Sequence, residues 1–132
     1  MRKRGVFMKK ISCILLLCMG FLLAGCAAGF IPKGSQPAGV YRGFLKGNVY
    51  DGPIRVELFQ TPDGETIFTG QFVDTIHDGE YYFRGTVTGN FMEGDISLGF
   101  GTITGELSEN RTRMSGVLRL AQNHGTWSAG LQ

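Results

Sequence analysis

The chain has 132 residues, of which 42% are hydrophobic and 18% charged, a length that suits one compact domain and not two. Its formal net charge is +2, but five of its 13 basic residues precede residue 11, where no acid occurs, so the remainder carries an excess of acids. This balance argues against a nucleic-acid-binding protein, which needs a basic face.

The chain starts with a basic head and continues with an apolar run. Residues 1–10 contain no acid, and residues 11–23 are apolar. Such a succession, followed by small residues, is typical of an export signal. Met8 is an alternative start, because Lys9 and Lys10 still follow it. An uncleaved membrane helix is the alternative interpretation, since residues 11–31 are nearly all apolar and about 20 such residues span a bilayer.

The apolar run ends on Leu23-Ala24-Gly25-Cys26, which resembles the lipobox of bacterial lipoproteins. The resemblance implies that residues 1–25 are a signal peptide and that the Cys26 sulfur receives a diacylglyceryl group, with a further chain such as palmitate on the amine. Two such chains suffice for stable membrane attachment. In Gram-negative members an Asp after the cysteine favours the inner membrane. Ala27 occupies that position here, so the resemblance implies a lipid-anchored protein of the cell envelope, at the outer membrane.

The cysteines all precede the predicted folded domain. Cys13 and Cys18 fall in the signal peptide and Cys26 is acylated, so the rest of the chain has no thiol for a disulfide or a metal site. Residues 26–38 contain prolines, glycine and serine without periodicity, which predicts a lipidated cysteine with a flexible tether. Residues 39–132 are left as one soluble domain.

From residue 39 onward, apolar and polar residues alternate between clusters of Gly, Asn, Asp and Pro. This pattern predicts an all-β fold, an antiparallel meander of eight strands. The predicted strands are 40–47, 53–60, 65–73, 80–88, 91–98, 101–107, 113–120 and 125–131. A two-residue turn at Gly99-Phe100 is expected to leave Leu98 on the inner face.

The predicted inner face is apolar and the outer face charged. Examples of inner residues are Tyr41, Leu45, Phe72, Tyr81 and Leu131, whereas Arg42, Arg55, Glu57, Arg113 and Arg119 fall outside. A membrane-spanning barrel needs the reverse arrangement. Eight antiparallel strands with short loops favour an up-and-down β-barrel, because closure removes exposed edges. A two-sheet β-sandwich is the alternative.

Glycines recur in the middle of the predicted inner face. They are Gly43, Gly70, Gly85, Gly94, Gly105 and Gly116. Strand glycines are costly, and sharp coiling of the sheet with aromatic rings across the gaps would explain them. Alternatively, they open a pocket for a small apolar ligand, bounded by Gly70, Gly85, Gly105, Gly116, Phe83 and Trp127.

Over residues 39–132 this glycine-punctuated meander resembles the small barrels of lipocalins, of avidin and streptavidin, and of lipid-anchored transferrin-binding proteins. Lipocalins carry Gly-x-Trp on the first strand, whereas Gly125-Thr126-Trp127 begins the last strand here. The biotin-contacting polar residues of avidin have no counterpart in this chain. The resemblance therefore implies a fold and transfers no binding residue.

The sequence offers few groups for catalysis. His77 lies in a polar stretch, residues 74–80, that would suit a metal, although an exposed turn contains the same residue types. His124 also falls in a predicted turn. Tyr41 and Tyr81 are the titratable residues on the predicted inner face, whereas catalysis needs acids or bases in a water-poor pocket. We therefore expect no catalytic residue, metal or cofactor.

Apolar residues also occur on the predicted outer face. If Phe44, Phe59, Ile67 and Val73 cluster, they form a patch that could dock an envelope protein. The function expected from sequence is a membrane-anchored, non-catalytic binding or structural module of the envelope. A carrier of a small apolar ligand and a metal-dependent or hydrolytic enzyme are the alternatives.

Overall fold

The computed structural model describes residues 31–132, in which eight antiparallel strands form a closed barrel. The strands are β1 (Gln36–Gly47), β2 (Gly52–Gln60), β3 (Thr66–Asp74), β4 (Gly79–Thr88), β5 (Phe91–Ile96), β6 (Gly101–Leu107), β7 (Arg113–Leu120) and β8 (Asn123–Leu131). The signal peptide, the lipobox and Cys26 lie outside the described residues. So does nearly all of the alternative membrane helix.

Each strand pairs with its neighbours in sequence, and the barrel closes between β1 and β8. The closing register runs from Tyr41 opposite Leu131 to Gly47 opposite Gly125. The up-and-down barrel predicted from the alternation is therefore confirmed, and the sandwich alternative is wrong. Such a barrel is compatible with the small barrels of lipocalins and streptavidin that the sequence resembles.

The inner face forms one apolar core. Successive strand residues point to opposite faces, so the alternation in sequence becomes a layer of buried side chains within a charged exterior. The buried apolar residues are Tyr41, Leu45, Ile54, Val56, Leu58, Phe68, Phe72, Phe83, Met92, Ile96, Ile103, Leu107, Met114, Leu118, Leu120, Trp127 and Ala129. Leu131, predicted inside, is instead exposed where β8 ends.

The first strand begins earlier than predicted. β1 starts at Gln36, which pairs with Gln60, and an irregularity between Pro37 and Gly39 shifts the register. Gly39 has a φ of 147°, which favours glycine. The last residues of the predicted tether are thus part of the sheet, because β2 is long enough to pair with them.

The connection between β5 and β6 also differs from the prediction. Ile96 pairs with Gly101, so the turn has four residues and Ser97–Gly99 form a 3₁₀ turn. The Ser97 hydroxyl donates to the carbonyl oxygen of Tyr82 at 3.0 Å, which holds the turn against β4. Leu98 is consequently 75% exposed, and its predicted place on the inner face is wrong.

The up-and-down order places alternate loops at opposite ends of the barrel. The entry end contains the start of β1 and the loops of residues 61–65, 89–90 and 108–112. The far end contains the loops of residues 48–51, 75–78, 97–100 and 121–122. The chain therefore enters the barrel at the end opposite the β3–β4 and β5–β6 turns.

Candidate functional site

The glycines of the predicted pocket lie where neighbouring strands of the barrel wall approach each other closely. Gly85 opposes Gly94 across β4 and β5, and Gly105 opposes Gly116 across β6 and β7. A β-carbon added at Gly105 would lie 2.7 Å from the carbonyl oxygen of Ser115. One added at Gly116 would collide with the carbonyl oxygen of Thr104. The absence of side chains at these positions lets neighbouring backbones approach closely.

Aromatic rings occupy the space that these glycines leave. A β-carbon at Gly70 would lie 2.5 Å from the Phe83 ring, and one at Gly85 would lie 2.7 Å from the Phe68 ring. Trp127 covers Gly105 in the same way, and its Nε1–H donates to the carbonyl oxygen of Thr104 at 3.1 Å. These contacts favour coiling of the sheet with rings across the gaps over a ligand pocket.

The four apolar residues of the predicted outer patch divide into two groups. Phe59 and Ile67 are opposite each other on β2 and β3. Phe44 and Val73 line one outer groove together with Pro53. Between the two groups, Arg55 and Glu57 form an ion pair of 3.5 Å. The structure therefore shows two small apolar areas separated by charge, of which the area at Phe44 is the more exposed.

Asp74 is fully buried at the far end of β3, although the sequence predicted every acid in a turn or on the outer face. Its Oδ1 accepts hydrogen bonds from the backbone N–H groups of Asp51, at 3.2 Å, and Ile76, at 3.1 Å. Its Oδ2 lies 2.7 Å from Nδ1 of His77 and accepts from the His77 backbone N–H at 3.3 Å. The carboxylate thus ties the β3–β4 turn to the β1–β2 loop.

The protonation state of Asp74 follows from these contacts. Burial alone raises the pKa of a carboxyl group, but the hydrogen bonds from His77, Asp51 and Ile76 outweigh it and hold the pKa of Asp74 below its ordinary value. The ionised carboxylate is acceptor-only, so the proton of their mutual bond sits on His77 Nδ1. When neutral, His77 therefore has its free lone pair on Nε2.

The pair does not extend to a metal centre within residues 31–132, where no group of three His, Cys, Asp or Glu side chains has the proximity to hold an ion. His77 contacts one carboxylate, and its ring centroid lies 5.5 Å from that of Tyr50. His124 is the second residue of β8, opposite Arg119, and not in a turn as predicted. The two histidines lie in separate hairpins.

The two inner tyrosines have structural contacts. The Tyr41 hydroxyl donates to the carbonyl oxygen of Arg111 at 2.6 Å, and burial raises its pKa, partly offset by the positive charge of Arg111. Tyr81 stacks on Phe72 with ring centroids 5.1 Å apart. Burial, and then the proximity of Tyr50 and Asp74, raise the pKa of Tyr81. Both phenols are therefore neutral at physiological pH.

Three exposed apolar residues share the far end of the barrel and were not predicted as a group. Ile76 is 53% exposed, Leu98 75% and Phe100 50%. The Phe100 ring meets Tyr81 edge to face at 5.7 Å, which joins this surface to the core. Leu98 has a φ of 63°, a conformation that is rare for a leucine. We call Ile76, Leu98 and Phe100 the far-end surface.

The chain matches no known protein family model and no curated protein. Its class is therefore defined by the fold alone, a closed eight-stranded antiparallel barrel with an apolar core. Within residues 31–132, no helix is long and apolar enough to cross a bilayer.

Proposed function

We propose that the chain is a bacterial lipoprotein anchored through Cys26 at the outer membrane, with the barrel as a non-catalytic module that binds an envelope protein. The lipobox supports the anchor. Because β1 starts at Gln36, the residues from Cys26 to the barrel span at most about 35 Å at ~3.5 Å per residue. The barrel therefore stays close to the membrane surface.

The far-end surface is the observation that carries the binding function. Large apolar side chains on a water-exposed surface cost solvation free energy and mark sites of contact when they occur together. Here three of them lie at the end of the barrel opposite the point where the tether enters. Leu98 keeps its exposed position despite an unfavourable backbone conformation, which is typical of functional sites.

Two alternatives have less support. A carrier of a small apolar ligand needs interior space, whereas rings and backbone atoms fill the positions beside Gly70, Gly85, Gly105 and Gly116. An enzyme needs titratable groups that can exchange protons with a substrate. The buried carboxylate of Asp74 instead accepts hydrogen bonds that hold two loops together.

Site-specific photocrosslinking in cells tests the binding site. A benzoylphenylalanine at Phe100 is expected to give a discrete crosslinked product with an envelope protein. The matched control is the same residue at Phe91, which is 47% exposed but lies at the entry end. Equal products from the two positions, or none from Phe100, would show that the far-end surface is not the binding site.

Acyl labelling of Cys26→Ser tests the anchor separately. The variant has no thiol at residue 26 to acylate, so we expect it to lose acyl labelling. Its uncleaved signal is expected to keep it in the membrane fraction. Radiolabelled palmitate incorporated equally into Cys26→Ser and the unaltered chain would refute the anchor.

A further inference from the structure

Three arginines form a row on the outer wall of the barrel. Arg42 on β1 lies directly opposite Arg55 on β2. On its other side, Arg42 faces Gly130 on β8, and Gly130 in turn faces Arg113 on β7. Cross-strand partners point to the same face of a sheet, so all three guanidinium side chains leave the barrel side by side. We call Arg42, Arg55 and Arg113 the arginine row.

Gly130 leaves an opening in the middle of the arginine row. A β-carbon at Gly130 would have the Nη1 atom of Arg113 as its nearest neighbour, at 3.7 Å. The guanidinium of Arg113 therefore leans across the glycine towards Arg42. A ligand that approaches this point meets backbone below and guanidinium groups on both sides.

Two members of the arginine row, Arg42 and Arg113, lack a paired acid within the described part of the chain. Like charges directly opposite each other destabilise a sheet. Glu57 pairs with Arg55 at 3.5 Å, whereas Arg42 and Arg113 form no ion pair with any of residues 31–132. An excess of two positive charges thus remains on a domain with more acids than bases. This surface is complementary to an anion.

An apolar groove borders the arginine row. It has a volume of about 400 Å³ and is lined by Arg42, Arg55, Phe44, Pro53, Val73 and Gln71 among others. Phe44 is 65% exposed beside it. The combined surface offers guanidinium groups to an anionic head and apolar side chains to a hydrocarbon part. A purely ionic ligand would leave Phe44 and Val73 without a partner.

From this juxtaposition we infer that the arginine row binds the phosphate headgroup of an anionic phospholipid at a bilayer surface, with Phe44 towards the acyl chains. Arginine suits this role because its planar fork donates two parallel hydrogen bonds to phosphate oxygens. The inference goes beyond the proposed function. It concerns the barrel wall, not the far-end surface, and it requires no acyl group on Cys26.

The experiment uses the full-length chain with Cys26→Ser in neutral dodecyl maltoside micelles. The Nε–Hε resonances of the arginines are followed by NMR while phosphatidylglycerol, phosphatidylcholine or inorganic phosphate is added. From the shifts of the arginine row, we expect an affinity for phosphatidylglycerol at least tenfold higher than for phosphatidylcholine. This affinity is expected to fall as the salt concentration rises. Equal affinity for the two lipids would overturn the inference. An affinity for inorganic phosphate equal to that for phosphatidylglycerol would also overturn it and reassign the site to a free anion.

Arg42→Gln gives the second readout. One basic residue at an anionic surface corresponds to about a fivefold change in affinity, so we expect about fivefold weaker phosphatidylglycerol binding. The melting temperature is expected to stay the same or rise, since a like-charge pair is removed, whereas a structural arginine would lower it. The matched control is Arg119→Gln, which removes the same charge from another part of the outer face. Equal weakening by Arg119→Gln would refute a specific site.

Phe44→Ser tests the apolar half of the site. Phosphatidylglycerol binding is expected to weaken while the arginine shifts with inorganic phosphate stay unchanged. Unchanged lipid affinity in this variant would contradict the orientation that we infer.

Discussion

Replacement of Gly105 by alanine tests how tightly the barrel wall is closed. The added β-carbon would lie 2.7 Å from the carbonyl oxygen of Ser115 and 2.7 Å from Cζ2 of Trp127, whereas ordinary contact begins at 3.4 Å. Both the β7 backbone and a buried ring must therefore move. Such overpacking costs about 1–3 kcal/mol, and the lower entropy of the unfolded alanine chain offsets about 0.4–1 kcal/mol. The expected net loss of stability is about 1–2 kcal/mol.

Urea and thermal unfolding measure this loss. Trp127 is the single tryptophan of the chain and reports on the core by its fluorescence. For a domain of this size, the expected loss lowers the melting temperature by about 4–16 °C. Gly130→Ala is the matched control, because its β-carbon points outward and meets one atom at 3.7 Å. If Gly105→Ala were as stable as this control, the wall would have spare room, and an internal ligand site would regain support.

Three further changes have defined outcomes. Asp74→Asn is expected to cost about 1–3 kcal/mol in urea unfolding at neutral pH, because it weakens a buried acceptor. The folded pKa of Asp74 is lowered, so its stabilisation is complete above the unfolded pKa near 3.8 and is lost as pH falls through the folded value; an acid transition unchanged in the variant would contradict this. Trp127→Phe removes the bond to Thr104 and is expected to lower stability by about 1 kcal/mol, with cavity effects in addition. Leu98→Asn relieves the left-handed leucine and is expected to raise stability by about 1 kcal/mol while it weakens crosslinking from Phe100; a lower melting temperature would argue that Leu98 stabilises the turn.

The alternation of residue types was sufficient to predict the barrel. It assigned the faces of β2, β3 and β4 correctly. These faces are strongly specified, since a one-residue slip in register would expose Phe68, Phe72 and Phe83 together. In the two-residue turn between β4 and β5, Gly89 has a φ of 64°, which glycine adopts without strain. The alternation failed at the β5–β6 turn, where the Ser97 hydroxyl bonds to β4, a contact between segments that local pattern does not encode.

The surfaces depend on register, which the sequence alone leaves open. The polar stretch around Asp74 predicted an exposed turn, and the amide of Asp51 that the buried carboxylate binds comes from another hairpin. The opposition of Arg42 and Arg55 likewise emerges when β1 and β2 are aligned residue by residue. Each of these residues has an ordinary sequence context, so no local signal distinguishes them.

The seam between β1 and β8 joins the earliest and the latest strands of the barrel. A nascent chain therefore cannot complete this domain until its final residues are available, and pairing of such distant segments is intrinsically slow. Loss of β8 would leave β1 and β7 with open edges rather than a smaller barrel.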